Sequence, residues 1–249
     1  MSDRDDSPPP ARRDWAYFLD VDGTLLELAP APDAVRVRRE THDLVHALHA
    51  ATGGALALVS GRAIDDVDRL FRGGALPIAG QHGLERRDAA GVTTRAPAHA
   101  EALAHARARL AELAARHEGL LLEDKGLSLA LHYRAAPQHE ALVHDVVRGA
   151  AASLGNDWLV QRGKYVVELR PAGADKGAAI EAYLAEAPFA GRLPVFLGDD
   201  ATDEHGFEAV NRLGGHSIKV GEGASAARWR LRDVREVERW LAEVASARP

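Results

Sequence analysis

Asp20-Val21-Asp22-Gly23-Thr24 follows directly on the apolar run Trp15 to Leu19, so two carboxylates stand where a buried strand would end. A carboxylate in that position can attack phosphorus and split ester hydrolysis into two easier displacements, which makes Asp20 the expected nucleophile. Asp22, two residues on, can protonate the leaving alcohol and then take a proton from the incoming water. Gly23 lets the backbone turn close to a phosphate whose oxygens the loop N–H groups would hold. The bland alternative is an Asp that caps a helix. Asp-x-Asp-Gly also opens calcium loops, but no ligand pattern continues through Leu25 and Leu26 and no Glu closes one.

A second acidic cluster, Gly198-Asp199-Asp200-Ala201-Thr202-Asp203-Glu204, ends another apolar run far downstream. Two such clusters facing one phosphate would repel unless a divalent cation lay between them, and magnesium suits carboxylate, carbonyl and phosphate oxygens. The expected ligands are Asp20, the backbone carbonyl of Asp22, and Asp199, with Asp203 in support. Asp200, Asp203 and Glu204 also read as negative charge at a helix start, complementing its dipole. Ser60, with Gly61 and Arg62 after it, offers a hydroxyl and an N–H where a helix begins, as an anion site or as a helix cap. Lys176, after Gly173-Ala174-Asp175, can reach back to the phosphate and offset the charge of Asp20. Arg62 suits an acidic partner in the core and the substrate equally. His82, in Gly80-Gln81-His82-Gly83, is placed to hydrogen-bond a sugar or a water on the metal.

The elements that must position these residues are short apolar runs alternating with helical spacing. Runs at 15–19, 55–59, 77–79, 194–197 and 217–220 end in polar clusters, and a helix is expected around 35–48. That alternation predicts a parallel α/β sheet with helices on both faces, whose ligands bind beyond the carboxyl ends of the strands. The middle of the chain predicts helix, strand pair, helix, strand pair: helices near 99–117 and 137–154, strands at 120–122, 127–134, 158–161 and 164–170. The expected organisation is an unstructured leader at 1–13, a core from 14–96 and 172–249, and an inserted cap at 97–171. Trp229 and Trp240 read as core.

The chain has 249 residues, 46% hydrophobic and 27% charged, with a formal charge of −6. That charge argues against general affinity for nucleic acid. Cysteine is absent, which excludes disulfides and thiolate chemistry and fits a reducing cytoplasm. No stretch reads as a signal peptide or a membrane span.

Taken together, Asp20 to Thr24, Ser60-Gly61-Arg62, Lys176 and Gly198-Asp199-Asp200-x-x-Asp203 resemble the motifs of the haloacid dehalogenase superfamily of phosphohydrolases. With Gly80 to Gly83 and Glu123-Asp124-Lys125-Gly126, the likeness extends to that superfamily's trehalose-6-phosphate phosphatases. The resemblance implies a Rossmann-like core, a C2B-type α+β cap and magnesium. The implied reaction is hydrolysis of trehalose 6-phosphate to trehalose and phosphate, within trehalose biosynthesis and coupled to a separate synthase. In the cap, alternation sets Leu127, Leu129, Leu131 and Tyr133, with Tyr165, Val167 and Leu169, on an apolar face. The opposite face is expected to close over the crevice and contact the sugar through Glu123, Lys125 and Glu168, with His132, Lys164 and Arg170 behind them. Three rivals stay open at this stage. They are another sugar-phosphate phosphatase, a phosphomutase, and a non-catalytic phospho-acceptor like a receiver domain.

Overall fold

The computed structural model describes residues 7–28, 35–72, 76–97 and 99–246. The chain divides into two compact units, 1–94 with 175–249, and 95–174. The range 97–171 expected for the cap lies inside the second.

The first unit is built on an eight-stranded sheet. Its parallel part comprises β1 (Ala16–Leu19), β2 (Leu56–Val59), β3 (Ile78–Gly80), β10 (Pro194–Gly198), β11 (His216–Val220) and β12 (Trp229–Leu231). The order across the sheet is β12-β11-β10-β1-β2-β3, continued by β4 (Glu85–Arg87) and β5 (Thr93–Arg95). β4 runs antiparallel to β3, with Gly80 opposite Glu85. The central strands are apolar throughout because helices cover both faces. Tyr17, Leu19, Leu56 and Leu58 pack toward α1 (Arg39–Ala51), α2 (Ile64–Phe71) and α7 (Val234–Ser246). Ala16, Phe18, Ala57 and Val59 point the other way, toward α5 (Lys176–Leu184) and α6 (Glu204–Arg212). The expected core role of the tryptophans holds: Trp240 is buried and Trp229 packs against the same cluster.

The second unit has a four-stranded sheet in the order β6 (Leu121–Asp124), β7 (Leu129–His132), β9 (Val166–Pro171), β8 (Trp158–Gly163). Helices α3 (Ala100–Arg116) and α4 (Glu140–Leu154) cover one face through Leu103, Leu110, Val143 and Val147 against Leu129, Leu131, Val167 and Leu169.

Three expectations are corrected. Residues 7–13 of the supposed leader are held to the core; Trp240 Nε1 donates to the Pro9 carbonyl, and the Tyr17 hydroxyl donates to that of Arg12. Residues 1–6 lie outside the described residues. The first helix begins at Arg39 rather than Val35, whose side chain is buried ahead of it. Lys164 and Tyr165 form the β8–β9 turn instead of strand; Tyr165 takes φ 65° and is exposed, so it leaves the apolar face assigned to it.

Candidate active site

Asp20 follows the last residue of β1, and its N–H donates to the Leu197 carbonyl of β10. Parallel pairing of β1 with β10 therefore carries Asp20 and Asp199 to the same sheet edge. The next residues turn sharply: Leu25 and Leu26 both donate to the Val21 carbonyl. Gly23 has φ +88°, and a Cβ there would come within 2.1 Å of Asp199 Oδ2. Only glycine fits, both for its backbone and for the carboxylate against it.

Lys176 opens α5, whose first turn is capped by the Asp175 side chain accepting from the Ala178 N–H. From there Nζ donates to Asp20 Oδ1 at 2.7 Å and to Asp203 Oδ1 at 2.5 Å, all three side chains being buried. The reach of Lys176 to Asp20 matches the expectation from sequence. Asp203 Oδ2 accepts from the N–H groups of Asp199 and Asp200, both at 2.9 Å. Both oxygens of Asp203 thus accept hydrogen bonds, one from Lys176 and the other from the loop. Asp200 caps the short turn Ala201–Asp203. Glu204 sits in the first turn of α6 and accepts from the Ala226 N–H.

Burial pushes the Asp20 carboxyl well above its ordinary range; Lys176 pulls it down, while Asp203 and Asp199 push it further up. Burial, then Asp203 and Asp200, lifts Asp199 to about 7. Burial opposes charge on Lys176, but Asp20 and Asp203 outweigh it and hold the ammonium well above its usual value. Oxygens of Asp20, Asp199 and Asp203 lie within 4.8 Å of one another. Desolvated carboxylates in excess of the ammonium that touches them form a set that a metal ion would neutralise, so the residues present fit one.

Arg62 Nε donates to Asp22 Oδ2 at 2.6 Å and its terminal nitrogen to Oδ1 at 2.8 Å. Its expected acidic partner is therefore Asp22. Ser60 is placed differently from expectation. Its N–H donates to the Ala79 carbonyl within the sheet, so it is not offered to an anion. Nor does Ser60 cap α2, whose N-cap is Ala63; the Ser60 hydroxyl oxygen accepts instead from the Arg62 N–H at 3.1 Å. His82 is buried beside this loop, and its N–H donates to the Ser60 carbonyl.

Sequence reasoning missed two residues. Glu85 supplies the acceptor for the Ile64 N–H at the start of α2. Lys219 donates to the Asp199 carbonyl at 2.5 Å; a lysine inside the apolar strand 216–220 was the available signal.

In the second unit, the strand register aligns Glu123, Ala130, Glu168 and Gln161 across the sheet on the face opposite the helices. Lys125 Nζ donates to Glu168 Oε2 at 2.9 Å and Ser128 to Oε1 at 2.6 Å. His132 Nε2 pairs with Glu123 at 2.8 Å. Burial works against charge on Glu123, but His132 and Lys125 outweigh it and hold the carboxylate below its ordinary value. Arg170 is buried and donates to the Ala174 carbonyl. The register and these bonds group Glu123, Lys125, His132 and Glu168, while Lys164 stands apart in its turn.

A family model described as Trehalose-phosphatase matches residues 18–235. The trehalose-6-phosphate phosphatase of Escherichia coli (strain K12) is 46% identical over 241 residues, covering 94% of this chain and 87% of that protein. The chain belongs to the trehalose-phosphatase family. A probable trehalose-phosphate phosphatase of Sinorhizobium fredii (strain NBRC 101917 / NGR234) is 47% identical over 213 residues, covering 86% and 80% of the two chains. Among solved structures, the C-terminal domain of C. albicans trehalose-6-phosphate phosphatase superposes with a TM-score of 0.82 at 19% identity, over 93% of this chain and 92% of that one. That likeness shows the trehalose-phosphatase fold, a Rossmann-like core with an inserted α+β unit. No helix among the described residues is long and apolar enough to cross a membrane.

Proposed function

We propose that the chain hydrolyses trehalose 6-phosphate to trehalose and inorganic phosphate through a phospho-aspartate on Asp20. The observation that carries this reading is Asp20 at a strand end, held by buried Lys176 beside Asp199 and Asp203, in a chain of the trehalose-phosphatase family. Lys176 engages Oδ1 and leaves Oδ2 as the attacking oxygen. Attack forms the Asp20–phosphorus bond and breaks the bond from phosphorus to the sugar oxygen, to which Asp22 gives a proton. Asp22 then takes a proton from water, whose oxygen displaces Asp20 and releases phosphate. Both oxygens of Asp22 are engaged by Arg62, so each transfer needs one of them to come away from the guanidinium. Magnesium, held by Asp20, the Asp22 carbonyl and Asp199, would supply positive charge against the phosphoryl oxygens. Gly23, Ser60 and Gly61 are assigned to the phosphate end of the substrate, and His82 to its sugar or to a water on the metal. Glu123, Lys125, His132, Glu168 and Arg170 are assigned to the sugar, whose hydroxyls need both donors and acceptors. We place the reaction in the cytoplasm, downstream of a separate synthase.

The test is phosphate release from trehalose 6-phosphate beside glucose 6-phosphate, sucrose 6-phosphate and mannose phosphates, with magnesium or chelator. Magnesium-dependent preference for the first is expected. Preference for another ester would keep the core chemistry and discard the sugar assignment, and an isomerised product would favour a mutase. Asp20→Asn should abolish turnover with the fold intact; near-normal activity in that variant ends the mechanism.

A further inference from the structure

Gln81 and His82 are adjacent non-glycine residues that both stand in left-handed backbone, at φ 47° and 57°. That conformation crowds Cβ against the following carbonyl, and two in succession persist only where surrounding bonds over-determine them. Those bonds run to the phosphate loop. The Gln81 N–H donates to the Arg62 carbonyl at 2.8 Å and the His82 N–H to that of Ser60 at 2.9 Å. The His82 ring lies so close to Gly61 that a Cβ there would come within 2.7 Å of Nε2.

Behind this corner stands Glu85, buried at 4% exposure. Its Oε1 accepts from the Ile64 N–H at 2.7 Å and from Gln81 Nε2 at 3.4 Å. A Cβ on Gly80 would fall 2.9 Å from the same oxygen. One carboxylate oxygen therefore meets the first turn of α2 and the strained corner together.

We propose that Glu85 is a positioning residue for the reaction, its carboxylate holding the Gln81–His82 corner and the Ser60–Arg62 loop in a single arrangement toward the substrate. This rests on the assignment of Ser60 and His82 to the substrate made above. It extends that reading to a group that touches no reacting atom.

The experiment compares Glu85→Ala, Glu85→Gln, His82→Ala and the Glu85→Ala/His82→Ala double variant by amide hydrogen exchange and steady-state kinetics. In Glu85→Ala, amides 62–64 and 81–84 should exchange faster, and kcat/KM of the folded enzyme should fall about a hundredfold, as for a displaced positioning group. Glu85→Gln keeps one acceptor oxygen and should stay within about tenfold of the parent. The double variant should lose less than the product of its single effects, because both act through one corner. A lower Tm with unchanged kcat/KM, unchanged exchange at 81–84, or multiplying losses would each overturn the proposal. If His82→Ala loses nothing, or the parent cleaves no ester of the panel, the reading beneath it fails instead. Exchange at 81–84 in Glu85→Ala then decides separately whether Glu85 ties the corner.

Discussion

Replacing Lys176 by methionine keeps most of the side-chain volume and removes the ammonium that touches two buried carboxylates. Its Nζ lies 2.7 Å from Asp20 and 2.5 Å from Asp203, with side chains 2%, 6% and 0% exposed. At an effective dielectric of about 20, each contact represents about 6 to 7 kcal/mol of attraction, most of which offsets the cost of burying the charges. Removing one partner leaves that cost uncompensated, so the metal-free variant should lose about 3 to 5 kcal/mol. For a chain of this length that lowers Tm by about 10 °C. The deficit depends on pH. Burial already pushes Asp20 up, and loss of the ammonium raises it further, so the folded variant binds more protons than the unfolded chain. Stability is then kept at low pH and lost as pH rises through the folded value. Scanning calorimetry in chelator should show a smaller deficit near pH 5 than near pH 8, and kcat should fall at least about a hundredfold. A variant that melts with the parent in chelator at pH 8, or turns over normally, would refute the reasoning.

The remaining predictions concern separate parts of the molecule. Asp199, lifted to about 7 chiefly by burial, must lose its proton to bind a cation. Magnesium affinity should therefore rise with pH up to about 7, at most about tenfold per unit, and then level. Calorimetric titration in buffers of different ionisation enthalpy measures the released proton, and flat affinity with no release counts against it. Arg62→Lys exchanges the fork on Asp22 for a point charge and should lower kcat about tenfold or more with little change in Tm; unchanged steady-state rates would deny the pair a role. Tyr183→Phe removes the buried hydroxyl donating to the Arg87 carbonyl at 2.7 Å. It should cost about 1 kcal/mol and leave kcat/KM unaltered, read by thermal melts and the phosphate assay.

Much of the site was legible in the chain. Strands buried on both faces must be apolar without interruption, so Asp20 and Asp199 stand out where such runs stop. The parallel order that brings those ends to one edge follows from strand and helix alternating. Charged strands resist that logic: Glu85–Arg87, between β3 and β5, shows no apolar run, because its arginines are satisfied by residues distant in sequence, Arg86 by Glu186 and Arg87 by Asp68. Tyr165 misled for a different reason. Its aromatic ring suits a strand, whereas the hairpin put it in a turn with positive φ.

By itself, then, the sequence determined the fold class, the two acidic strand ends and the lysine that joins them, because burial and electrostatics restrict which residues can occupy such places. Tertiary structure alone decided how those groups are occupied. It committed the Ser60 N–H to the sheet, gave Asp22 to Arg62 and set Glu85 behind the His82 corner. Each of these is a choice among donors and acceptors of equal chemistry, and only the folded path of the chain, which sets distance and direction, selects between them.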